Sequence, residues 1–304
     1  MIYFWTPMLL KYKYHIWLHF VVLIFGLTGV LGKLISIESY LLVWYRLIIA
    51  LAAIIIYFAI TKFSLKITKK QLLKIGLVGV IIAAHWLTFF EAIKQSNVSV
   101  ALVCFSSSTL FTSLIEPFYF KRKIKAYELI FGIVIILGLY FIFSFEFKYL
   151  IGMILSVISA VLASWFTVLN GILVKETNAK LISFYELFGA FIAVSIYMLV
   201  ITEADFSQLA LPIEDVKWLL ILGILCTAFA FIVSVEIMKK ISPYTVTISV
   251  NLEPIYSIIL AVLIWPETET MSYGFYMGTA IVITTLFLNA FFKNLAAREK
   301  KELQ

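Results

Sequence analysis

Residues 247–262, TISVNLEPIYSIILAV, set an amide, Asn251, and a carboxylate, Glu253, inside hydrocarbon and follow them with Pro254. At helical spacing Thr245, Ser249, Glu253 and Tyr256 fall within about 80° of one another and form a polar stripe. Proline cannot donate to the carbonyl of Val250 and obstructs a straight helix, so a bare acceptor and a bend arise beside Asn251 and Glu253. An acceptor, an amide and a carboxylate together can grip an ammonium group, and the carboxylate can alternatively carry a proton as a coupling group. The competing reading is a structural kink whose carboxyl is protonated or paired.

Two further stripes have the same character. One holds Ser106, Thr109, Ser113 and Glu116; the other holds Ser156, Ser159, Thr167 and Asn170. Hydroxyls of this kind serve either cargo or the hydrogen bonds that join membrane helices. His85 and Trp86 offer a titratable ring, a second candidate for coupling, and a flat stacking surface, or else plain packing. Trp165 carries the same choice between stacking on a ligand and filling space. Arg46 either makes a structural contact near one membrane face or meets an anionic group. Glu116–Pro117 repeats the carboxylate–proline pair, but close to a helix end where snorkelling is easy, so Pro117 reads as structural, like Pro254.

The elements that must position these groups follow from composition. The 304 residues are 63% hydrophobic and 13% charged, with a mean hydropathy of +1.06, against about 25% charged residues in soluble domains. Apolar runs long enough to cross a bilayer cover residues 14–31, 39–60, 75–93, 98–120, 127–145, 149–174, 181–201, 218–238, 243–265 and 273–292. The expectation is an all-α polytopic membrane protein of ten helices. Short connections leave no room for a second soluble domain, and the first run is too long for a removable signal peptide.

Basic residues alternate from side to side. Lys11, Lys13, the lysines from Lys62 to Lys74, the cluster Lys121 to Lys125, Lys175, Lys180, Lys239, Lys240 and the C-terminal group share one side. The other side has Lys33, Lys94, Lys148 and Lys217. The positive-inside rule then places both termini in the cytoplasm of a cell (inner or plasma) membrane. The net charge of +7 is accounted for by anionic lipid rather than nucleic acid. Cys104 and Cys226 read as small packing residues. HExxH, GxSxG and CxxC patterns are missing, and three histidines cannot make a His-rich metal centre. Neither a metal, nor a cofactor, nor an enzyme is expected.

The chain also repeats itself. Residues 40–60 align without a gap with residues 180–200 through identical pairs that include Tyr45/Tyr185, Ala50/Ala190 and Tyr57/Tyr197. Thr28 matches Thr167, Gly32 matches Gly171, and a gapped extension sets Glu253 against Ser108. Two halves, 1–145 and 146–304, each with five helices, must enter the membrane from opposite sides as inverted repeats. With WYRLIIALAA opening the second helix and NLEPIYSIILAVLIWPETET through the ninth, the sequence resembles the EamA-type family of the drug/metabolite transporter superfamily. That resemblance implies a cavity lined by helices one, three, four, six, eight and nine. The family often has an acidic residue just after helices four and nine. Glu267 fits the second position, whereas the first reads FKRKI, with Arg122.

The resulting expectation is a secondary carrier for small metabolites working by alternating access, an exporter of amino acids or related amphipathic compounds as the resemblance implies. A membrane-embedded lipid-acting enzyme or flippase, or a channel, are the alternatives. Expected partners are a small-molecule substrate and the lipid bilayer. Gly274 and Gly278, four apart, fit either a weak homodimer or close packing within a monomer.

Overall fold

A computed structural model describes residues 5–201, 209–250 and 252–302; Asn251 lies outside the described residues. The helices are α1 (Trp5–Leu34), α2 (Ser39–Thr61), α3 (Lys69–Gln95), α4 (Val98–Phe120), α5 (Ala126–Phe145), α6 (Leu150–Glu176), α7 (Ala179–Val200), α8 (Ile213–Ile237), α9 (Pro243–Ile264) and α10 (Tyr273–Glu302). The described residues contain no strand. Among the described residues nine helices are long and apolar enough to cross a membrane, and the apolar part of α10, Tyr273–Asn289, is shorter than the others. The fold is all-helical and multi-pass, with two repeats.

Burial is sorted as a lipid solvent requires. Large apolar side chains such as Leu77, Ile133, Tyr140 and Leu199 point outward, while Arg46, His85, Glu186 and Glu253 are buried among the helices. Backbone groups cannot be left bare in hydrocarbon, so the helical ladder is obligatory, and its interruptions need local substitutes.

Among the described residues three helices are interrupted, and residues at or flanking each interruption line the interior. In α4 the ladder turns at Ser106 and Ser107, whose hydroxyls donate to the carbonyls of Val103 and Cys104 at 2.5 and 2.7 Å. Such back-bonding bends helices. In α8 residues Ile221–Phe229 widen into a π-helix, and the Thr227 hydroxyl donates to the carbonyl of Leu222 at 2.6 Å. In α9 the helix stops at Val250 and restarts at Glu253, with Pro254 in the first turn of the second half. The positive end of that half-helix favours the Glu253 carboxyl group.

Close approach fixes the remaining packing. A methyl group at Gly79 would collide with the Glu186 carbonyl of α7, so α3 and α7 touch backbone to backbone there. Gly278 faces the Gly138 carbonyl, and a methyl on Gly274 would strike the Phe145 ring. Both glycines of the four-apart pair are therefore spent on packing α10 against α5.

The lysine-poor end is tied together by buried acids. Glu269 accepts from Lys33 Nζ at 2.7 Å, from the backbone N–H groups of Val98 and Ser99 at 3.2 and 2.9 Å, and from Ser99 Oγ at 2.7 Å. It thus sits on the N-terminus of α4, a natural seat for an anion. Asp215 likewise accepts from the backbone N–H groups of Ser36 and Ile37 and from Ser36 Oγ. Glu267, the acid expected from the resemblance, is exposed, and Glu269, two residues on, makes the contacts.

Candidate functional site

The three breaks and α2 enclose a cavity of about 100 Å³. Aromatic rings on its wall come from Phe25, Trp86, Phe89, Phe105, Phe166 and Phe231. The polar wall includes Thr28, Arg46, His85, Ser108, Thr167 and Glu253. All six helices expected from the resemblance contribute, and α2 joins them through Arg46. Repeat-equivalent positions meet here, Thr28 with Thr167 and Ser108 with Glu253.

Arg46 is 2% exposed. Its guanidinium lies 3.9 Å from the centre of the Trp86 ring, and Nε–H donates to Thr227 Oγ1 at 2.5 Å. The widened turn of α8 makes this second contact possible and presents the Cys226 carbonyl at 3.5 Å from Nη2. Nη1 is buried and has no hydrogen-bond partner among the described residues. Leaving such a donor unmet costs about 1–3 kcal/mol.

Glu253 lines the same cavity at 5% exposure. No salt bridge joins it to Arg46 among the described residues. The cavity therefore holds a cation and a carboxyl group held apart, with aromatic faces around them.

His85 is clamped between α3 and α6. Its Nδ1 lies 2.8 Å from Ser159 Oγ and 3.1 Å from the Ser159 carbonyl, while Ser159 Oγ donates to the His85 carbonyl. Both Ser159 oxygens thus lie within hydrogen-bond reach of Nδ1 and tie the ring to α6. Phe89, Phe105 and Phe166 surround the imidazole at 5.4 to 5.9 Å.

The other sequence candidates lie elsewhere. Trp165 is 40% exposed and donates to the Tyr119 hydroxyl at 2.9 Å, away from the cavity. Ser249 donates to the Thr245 carbonyl and borders a side groove with His19 and Leu252. Thr245 pairs with Ser242, and Tyr256 packs on Gly26 of α1. Ser106 is consumed by the bend in α4, and Thr109 is fully buried off the cavity wall. Asn170 donates to Glu186 Oε2 at 3.3 Å, joining α6 to α7. Pro117 is accommodated inside α4, beside Glu116, which is held by Arg122. Most of these hydroxyls and amides act as interhelical or local ties. Ser164, Ser234 and Thr247 line the cavity without having been named as site candidates from sequence, and Cys226, read there as a packing residue, joins them.

Comparison with known proteins agrees with this architecture. No curated protein matches the chain. A solved structure described only as "Crystal structure of protein" shares the fold with a TM-score of 0.64 at 15% identity, over 90% of this chain and 95% of its own. The model of the EamA-like transporter family matches twice, over residues 12–144 and 150–291. The chain belongs to the EamA-like transporter family.

Proposed function

We propose that this protein is a secondary carrier that exports small zwitterionic or amphipathic metabolites, amino acids or their relatives, by alternating access. The observation that carries the reading is that Arg46 and Glu253, a buried cation and a buried carboxyl group with no salt bridge between them among the described residues, line one cavity beside aromatic rings. A carboxylate on the cargo satisfies the guanidinium, an ammonium group satisfies Glu253, and an apolar side chain meets the rings through dispersion and cation–π contact. Buried ionisable groups in membranes mark pathways and relays, so Glu253 also serves as the group through which a proton gradient is coupled.

On this reading the lysine-rich end faces the cytoplasm of a cell membrane, following the positive-inside rule. The Lys33–Glu269 and Ser36–Asp215 ties then close the outer end, and rocking of the two repeats breaks them to release cargo outward. Membership of a transporter family favours carriage over catalysis. Counterflow of labelled amino acids into preloaded proteoliposomes tests the reading. Saturable exchange supports a carrier, whereas unsaturable flux without exchange identifies a channel.

A further inference from the structure

A second pocket, of about 430 Å³, opens at the lysine-rich end between α4, α5, α6 and the turn joining α8 to α9. Five cations line it: Arg122, Lys125, Lys175, Lys239 and Lys240. The lining carboxylates are Glu116 and Glu128.

Those two acids are already committed. Arg122 pairs with Glu116 at 3.0 Å and with Glu128 at 2.9 Å, and Glu116 Oε1 also accepts from the Tyr244 N–H at 3.2 Å. Burial opposes the charge on Arg122, but the bonds and charges of Glu128 and Glu116 outweigh it and hold its pKa above the ordinary value. Lys239 is paired with Glu236 at 2.7 Å. Lys125, Lys175 and Lys240 have no salt bridge among the described residues; the first two lie over the rings of Tyr127 and Phe120. Because Arg122 meets two carboxylates, the five cations set against Glu116, Glu128 and Glu236 leave a net charge of +2 in a concave wall, where low dielectric focuses the field. The positive-inside rule asks only for basic loops and does not require them to converge on a pocket.

Met238 connects this pocket to the site described above. It is buried and lines both cavities, so an unbranched, adaptable side chain lies between them.

We propose that the pocket is an oxyanion-binding vestibule, receiving the carboxylate or phosphate group of a compound on its way to the central cavity. Its place on a path rests on the carrier reading, while the oxyanion site itself does not.

The test uses the full chain in phosphatidylcholine nanodiscs, with Ser242→Cys on the vestibule wall and Lys239→Cys as a second reporter position. Labelling by an anionic ethylsulfonate methanethiosulfonate is compared with labelling by its cationic trimethylammonium counterpart. Each rate is normalised to a free thiol and corrected for the wild type, whose cysteines are buried. The expected result is a preference for the anionic reagent of about tenfold or more, slowed by inorganic phosphate. Combined Lys125→Gln, Lys175→Gln and Lys240→Gln changes then bring the ratio near one and remove the protection. Slowing by phosphatidylglycerol but not by phosphate keeps the oxyanion site, assigns it to a lipid headgroup and overturns its place on the cargo path. Equal rates for both reagents without protection overturn the proposal. None of these readouts requires transport, so failure of the carrier reading would be seen separately, as absent counterflow.

Discussion

Arg46 stacks on Trp86 at 3.9 Å while donating to Thr227 across the π-helical turn of α8. Stacking and a planar fork are properties that lysine does not share. Arg46→Lys is therefore expected to keep the charge but lose the stack and the Thr227 bond. The cargo KM in counterflow should rise about tenfold or more, as for a charge-assisted hydrogen bond of about 1.5–3 kcal/mol. An unchanged KM would show that the guanidinium is only structural.

Glu269 joins Lys33 to the first turn of α4. Removing one partner of such a buried array typically costs about 3–5 kcal/mol, so Glu269→Ala should lower the thermal unfolding midpoint strongly. It should also speed labelling of Ser36→Cys at the lysine-poor end. Lys33→Ala should cost much less, because its side chain is 22% exposed and partly screened by solvent. Equal effects would mean that Glu269 acts only through the salt bridge.

Trp165 stands outside the cavity with its indole N–H on Tyr119. Trp165→Phe should therefore leave cargo KM within about twofold, whereas Trp86→Phe, beneath Arg46, should raise it. Counterflow by both variants distinguishes an outward-facing aromatic from a wall of the site.

How much of this was legible in the sequence differs from residue to residue. The break in α9 agrees with Pro254, whose missing N–H and ring disfavour an unbroken ladder, although Pro117 sits inside α4 without one. The equivalence of Ser108 with Glu253, and of Thr28 with Thr167, followed from the repeat, and all four line the cavity. The widened turn of α8 left no such sign. ILGILCTAF has no proline, and Thr227 shows its role only through the Leu222 carbonyl. For Arg46 the sequence leaves a structural contact near one face and an anionic partner both open, since position along a helix gives depth but not azimuth when every side is apolar. Its place on the wall is set by how α2 packs on α8. Trp165 illustrates the converse, because an aromatic residue next to a polar stripe carries no mark of which way it turns.

The most direct test of the central claim is amino-acid counterflow in proteoliposomes by wild type and Glu253→Gln, with and without a pH gradient. The expected result is saturable, pH-dependent exchange by wild type and its loss in Glu253→Gln, with thermal unfolding showing that the variant is folded. A folded Glu253→Gln protein that exchanges cargo at the wild-type rate, with the same pH dependence, would contradict a functional carboxylate in the cavity.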